Sequence, residues 1–293
     1  MTADVCGAVG FVGLGNIGKP MATRLADWPG GLWVYDVAPE PLAELEKAGA
    51  QVAGSVAELA GQVDVVCVMV RDDDQVRDVL GQVLAGGRGG QTVAIHSTVA
   101  PDTPAQLADT ADRHGVHVVD APVSGGPMGA ADGSLAIMVG GSDAAYAACS
   151  GPFARMGSKI VHAGPLGAGT RMKLARNLVH FVAFTAATEA QRLAEAAGLD
   201  LVELGKVVRH TDAITGGPGA IMHRDTTASL ARDDFWFDIF APVRSLGEKD
   251  LHFAIELARE LDIDVPLVRQ ALTGLGTGLG LPEHGDEAEE SHT

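Results

Sequence analysis

The chain has 293 residues, enough for two domains of ordinary size, and its 46% hydrophobic content is enough for a substantial core. A formal net charge of −17 argues against nucleic acid as a partner, because phosphate binding needs clustered Lys and Arg. No apolar run is long enough to span a bilayer, MTADVCGAVG at the N-terminus lacks a basic stretch followed by a long apolar one, and Cys6, Cys67 and Cys149 lack metal-ligand spacing; a cytoplasmic protein with no membrane partner, no metal and small buried thiols is expected.

From the N-terminus, Gly7 to Val12 is short, apolar and strand-like, and Ile17 to Trp28 reads as a helix with Ile17, Met21 and Leu25 on one face. Between them Gly13, Gly15 and Gly18 form G-x-G-x-x-G, interleaved with Leu14, Asn16 and Ile17. Three such glycines alone also suit an ordinary strand-to-helix turn. Here a strand precedes, a helix follows, and a second strand, Leu32 to Tyr35, ends on Asp36, which is the context of a dinucleotide-binding loop. Gly13 permits the tight turn, Gly15 lets backbone N–H groups approach the pyrophosphate, and Gly18 lets helix pack on strand. The helix N-terminus adds favourable partial positive charge. A carboxylate at Asp36 accepts from the ribose 2′-OH and repels a 2′-phosphate, and Val37, Ala38 and Pro39 supply no Arg, so NAD is favoured over NADP. The alternative role for Asp36 is a cap on the helix starting near Pro39.

Further strand-like runs follow at 63–70, 92–96, 116–120, 135–140 and 159–162, with helix-like runs between most of them, such as 39–48, 73–80 and 102–114. This alternation predicts a doubly wound, mainly parallel α/β sheet of the Rossmann type. Beyond Gly164 the strands stop. Residues 168–197 form one long helical pattern ending at Gly198, and helices follow at about 200–211, 242–262 and 265–276, with a loop at Thr215–Gly219. The predicted division is a Rossmann domain over 1–164, an all-helical domain over 165–282 and a disordered acidic tail over 283–293.

Several segments carry possible chemistry. In DAPVSGG, Asp120 closes a strand, and Ser124, Gly125 and Gly126 offer a hydroxyl and unobstructed N–H groups of the kind that bind a carboxylate; another Gly-rich turn is the competing reading. In GAGTRMKLARN, Lys173 and Asn177 share one face of a helix that is apolar nearly all round, so the helix is expected to be buried. A buried Lys has a lowered pKa suited to proton transfer, but spacing alone favours Lys173 reaching the surface, as is expected of Arg171 and Arg176. Lys249 and Asp250 read as a solvated charge pair, and Ser97 or Thr98 in HSTVAP as the N-cap of the next helix.

Taken in order, GFVGLGNIGKPMA, DAPVSGG with the later GSLAIMVGG, GAGTRMKLARN and KDL at 249–251 resemble the β-hydroxyacid dehydrogenase family over about residues 7–270. The resemblance implies that Lys173 is the general acid/base and that Asn177 orients the substrate. It implies that Ser124, Gly125 and Gly126 hold the substrate carboxylate, and that Met69, Val70, Thr98 and Lys249 join the glycine loop in contacting the cofactor. The helical domain would then close over the nicotinamide. His96, Arg171, Arg176, Pro127-Met128 and the segment 209–227 depart from the usual family pattern.

The resulting expectation is NAD-dependent oxidation of a small β-hydroxy carboxylic acid to its semialdehyde, or the reverse. Alternatives are an imine reductase, which usually replaces the Lys; a non-catalytic dinucleotide-binding protein; and a 6-phosphogluconate-type decarboxylase, for which the chain lacks a longer C-terminal domain. A helix apolar on every side further predicts a homodimer or homotetramer.

Overall fold

A computed structural model describes residues 7–282, so Cys6 and the acidic tail lie outside the described residues. The chain separates into two compact units, one up to Arg176 and one from Asn177.

In the first unit, β1 (Val9–Val12), β2 (Leu32–Tyr35), β3 (Gln51–Val52), β4 (Val65–Val68), β5 (Thr92–Ile95) and β6 (His117–Asp120) run parallel. β7 (Val123–Ser124) and β6 pair antiparallel with β8 (Leu135–Gly140), and β9 (Gly157–Gly164) pairs parallel with β8. The order is β3-β2-β1-β4-β5-β6-β8-β7, with β9 beside β8.

Side chains alternate across this sheet. Val9 and Phe11 of β1, Val65 and Cys67 of β4, Ala94 of β5 and Val119 of β6 enter one core. Val12, Val66, Val68, Val93, Ile95 and Val118 enter the other. A parallel strand buried on both faces must be apolar at every position, which is why these runs read as continuous rather than alternating. The first core is covered by α1 (Gly18–Thr23), α2 (Pro39–Lys47), α6 (Gly126–Asp132) and α7 (Asp143–Met156). The second is covered by α3 (Val56–Ala60), α4 (Asp73–Gly86) and α5 (Thr103–Ala111).

Two local expectations are corrected. The helix predicted over 17–28 ends at Thr23, because Leu25 and Ala26 bond back three residues to Ala22 and Thr23 and the chain leaves in turns. Neither Ser97 nor Thr98 caps a helix: α5 starts at Thr103 behind Asp102, and the Ser97 hydroxyl is used elsewhere. The chain after Ser124 runs through Gly125 into α6.

The long helix α8 (Ala168–Ala196) contains the boundary between the units. The expectation that it is buried is not met within one chain: Leu178, Phe181, Val182 and Phe184 are 66%, 59%, 48% and 54% exposed.

The second unit adds α9 (Leu201–Thr215), α10 (Phe235–Glu260) and α11 (Pro266–Gly278). Its core gathers Leu230, Phe240, Leu279 and Leu281, with Trp236, Phe237 and Leu275 packed against them. Asp200 caps α9 by accepting from the N–H groups of Val202 and Glu203. The N-cap residue of α11 is Val265, which offers no oxygen; Glu189 of α8, 2% exposed, instead accepts from the N–H groups of Leu267 and Val268 at 3.0 and 3.2 Å. No helix among the described residues is long and apolar enough to cross a membrane.

Candidate active site

The strand order reverses at β1, which lies between β2 and β4. Ligands in open α/β sheets bind beyond the carboxyl ends of the strands at such a switch point. A cleft of about 730 Å³ opens there, lined by Gly13, Gly15, Asn16, Ile17 and Gly18, by Asp36 and Val37, and by Met69, Val70 and Arg71. Leu14, also assigned to the loop, is buried beneath it.

The three glycines have different surroundings. Gly13 has φ +91°, and a Cβ there would overlap Met69 O; a Cβ on Gly18 would overlap Gly13 O. A Cβ on Gly15 would meet nothing within 4 Å, so this position faces open cleft where a pyrophosphate can approach the backbone. Asp36 sits at the end of β2 with both oxygens engaged: Leu14 N–H donates to Oδ2 at 2.5 Å and Ala38 N–H to Oδ1 at 2.7 Å. It does not cap α2, whose N-cap residue is Ala38. Its carboxylate is therefore held on the cleft wall by backbone, with lone pairs left for a ribose hydroxyl.

The ends of β4 and β5 are joined by a reciprocal pair that sequence spacing gave no sign of. Val70 N–H donates to Ser97 Oγ at 2.9 Å, and the Ser97 hydroxyl donates back to Val70 O at 2.8 Å. Thr98, the next residue, is exposed. Behind it His96 is 1% exposed. Its Nδ1 lies 2.8 Å from Ala121 O, and its ring stacks on Phe11 and meets Phe153 edge-on. Its Nε2 has no hydrogen-bond partner among the described residues. Burial lowers the His96 pKa to about 4, against the opposing pull of Ala121 O, so the ring is neutral near pH 7.

Lys173 and the Ser124 turn are brought together. Lys173 is 8% exposed, and its Nζ donates to Val123 O at 2.6 Å, one residue before Ser124. Gly125 and Gly126 have φ of +134° and +63°, values open to glycine at little cost, and Pro127 then ends the run of N–H donors. Burial, and secondarily the Arg176 guanidinium, lower the Lys173 pKa below the usual lysine value. Arg171 and Arg176 themselves are exposed.

Asp120 supports this arrangement in a way the sequence did not disclose. It is fully buried, and its Oδ1 and Oδ2 accept from the N–H groups of Gly167 and Thr170 at 2.7 and 2.6 Å. Burial raises its pKa, and those N–H groups partly offset the rise.

Asn177 and Lys249 belong to the second unit. Asn177 is half-buried on α8, and Lys249, 54% exposed on α10, pairs with Asp250 at 3.2 Å.

The chain is similar in sequence and fold to known proteins. Residues 8–164 match the family model described as the NAD binding domain of 6-phosphogluconate dehydrogenase, and residues 167–279 match that for NAD-binding of NADP-dependent 3-hydroxyisobutyrate dehydrogenase. The crystal structure of an oxidoreductase from Mycobacterium avium is similar at 49% identity, with TM-score 0.92, over 94% of this chain and 99% of that one. A Mycobacterium tuberculosis 3-hydroxyisobutyrate dehydrogenase solved with L-serine is 30% identical, with TM-score 0.66, over 94% and 96% of the two chains. An imine reductase from a Pseudomonas species, at 20% identity and TM-score 0.72 over 94% and 95%, shares the fold. A nicotinamide-dinucleotide oxidoreductase is the class these features define. Within it, the chain belongs to the β-hydroxyacid dehydrogenase family.

Proposed function

We propose that the protein interconverts a small β-hydroxy carboxylic acid, of the 3-hydroxyisobutyrate kind, and its semialdehyde, with NAD as cofactor and Lys173 as general acid/base. The observation that carries this reading is the buried Lys173 amine, 2.6 Å from Val123 O and adjacent to the Ser124–Gly126 turn. The turn's N–H groups and the Ser124 hydroxyl take the substrate carboxylate. That fixes the β-hydroxyl at the neighbouring amine. Neutral Lys173 accepts the hydroxyl proton as the C–H bond gives up its hydride; in the reverse direction the ammonium returns the proton to the carbonyl oxygen. Its lowered pKa makes both forms accessible nearer neutral pH.

The residues fit the dinucleotide. Gly13, Gly15, Gly18 and the backbone around Leu14, Asn16 and Ile17 would hold the pyrophosphate, Asp36 the ribose diol, and Met69 and Val70 the wall beside the nicotinamide, with Thr98 assigned to the cofactor by the family resemblance alone. When bound, the nicotinamide supplies the hydride acceptor or donor. Asp36 disfavours a 2′-phosphate, which supports NAD over NADP. Asn177 and Lys249 are assigned to substrate orientation and cofactor contact. We assign the assembly to a homodimer or homotetramer, supported by the exposed apolar stretch of α8. A cytoplasmic setting is supported by the free, buried Cys67 and Cys149.

The test is oxidation of 3-hydroxyisobutyrate, 3-hydroxypropionate, glycerate, serine and γ-hydroxybutyrate with NAD and with NADP. Turnover is expected with a β-hydroxy acid and higher kcat/KM with NAD. Lys173→Ala should lose on the order of 10²-fold or more in kcat while binding NADH; retained turnover would remove Lys173 from the mechanism. Binding of NADH without turnover on any of these acids would favour a non-catalytic dinucleotide-binding protein.

A further inference from the structure

The first turn of α8 has an unusual cap. An α-helix begins with N–H groups that lack intrahelical partners, and a capping box satisfies two of them with side chains from the helix itself. At α8 the N-cap and N3 residues are Gly167 and Thr170, and their N–H groups go instead to the two oxygens of one distant carboxyl group, Asp120. A bidentate cap fixes more than the position of the helix end. Two donors three residues apart, held by two oxygens of one planar group, also fix the helix's rotation about its axis. The backbone seals the same joint: a Cβ on Gly169 would overlap Met138 O, and one on Gly140 would overlap Asp120 Oδ1 and come within 2.8 Å of Ala168 N.

Asp120 and Val123 are joined by only two residues, Ala121 and Pro122, both buried. One short strand segment thus holds the start of α8 at Asp120 and receives the Lys173 amine at Val123 O, three residues past the capped Thr170. We propose that Asp120 is a positioning residue for the reaction: by setting the start and rotation of α8 it places the Lys173 amine beside the Ser124–Gly126 turn. The inference rests on the acid/base reading of Lys173 only for its catalytic consequence. The placement of the amine is measurable without turnover.

The experiment compares the wild-type chain with Asp120→Asn, whose amide offers one acceptor and turns a donor toward the other N–H. Trace acetylation across a pH series, read by mass spectrometry at Lys173 with exposed Lys47 as internal reference, reports the amine's exposure and midpoint. Turnover and NADH binding are measured alongside. The expected result is severalfold faster labelling of Lys173, a midpoint that rises toward the ordinary lysine value, kcat down by on the order of 10²-fold, and NADH affinity within about twofold of wild type. Unchanged labelling overturns the proposal whatever happens to turnover. A midpoint that falls also overturns it, because that is the sign of a lost direct charge effect rather than a released side chain. If Asp120→Asn does not fold, Gly140→Ala, whose Cβ presses on Asp120 Oδ1 and the Ala168 N–H while leaving both Asp120 and Lys173 in place, disturbs the same cap and must give the same labelling signature. Should wild type turn over none of the acids, the function fails, while the labelling arm still decides the role of Asp120.

Discussion

His96 is a titratable ring held where its charged form has no partner. Its pKa falls from an unfolded value of 6.5 to about 4 when the chain folds. A histidine lowered by folding gives stability that is complete above the unfolded value and is lost as pH falls from there toward the folded value, because the unfolded chain takes up the proton first. Stability should therefore drop by about 2 kcal/mol between pH 7 and pH 5 from this residue alone. Denaturant unfolding at the two pH values checks this against His96→Gln, whose amide can still donate toward Ala121 O but does not titrate. An identical pH dependence in the variant would exclude His96 as the source. In the sequence His96 was visible only as an oddity before Ser-Thr. Its neutral state comes from Phe11 and Phe153, residues from β1 and α7 that no local pattern connects to it.

At the scale of elements, two helices are capped from far along the chain by buried carboxyl groups. Asp120 does so for α8 and Glu189 for α11. Neither α8 nor α11 carries an Ser, Thr, Asp or Asn at its N-cap position, where Gly167 and Val265 stand. Glu189→Gln keeps one acceptor and leaves the second N–H facing an amide donor, so it should destabilise the second unit by about 1–2 kcal/mol. Arg192→Ala removes only a half-exposed ion pair at 4.0 Å and should stay within about 0.5 kcal/mol. Chemical denaturation of both variants separates the cases, and a neutral Glu189→Gln would refute the capping role. The helices themselves were legible: α8 was placed to within a residue at each end from its apolar density and the following Gly198. Their caps were not, because Asp120 stands 47 residues before Gly167 and Glu189 stands 78 before Leu267. Short elements such as β3, β7 and α3 also escaped, since two to five residues carry too little periodicity to register.

At the scale of the molecule, the doubly wound sheet and the glycine cleft follow from local signals: continuous apolar runs, one motif and the acid that ends β2. The chemistry did not. Spacing placed Lys173 and Asn177 on one helix face, but only the fold sets the Lys173 amine against Val123 O. Phe181 and Phe184 pack edge to face with centroids 6.1 Å apart while both remain mostly exposed. Such an apolar patch supports the proposed assembly with a second copy. Light scattering should give two or four times the 30.1 kDa chain mass, and Phe181→Glu should lower it; a monomeric mass for wild type would contradict the assembly.

The seam within α8 has a bearing on how this chain can be recombined with its relatives. Family matching ends one segment at residue 164 and begins the next at 167, whereas the packing boundary lies between Arg176 and Asn177. A crossover at 165 would take all of α8, its capped start included, from a foreign parent and leave Asp120 facing a helix start it did not evolve to hold. A crossover after Arg176 inherits cap, helix start and Lys173 from one parent. Modularity in this protein is thus set by a side-chain cap on a helix start rather than by the edge of a motif.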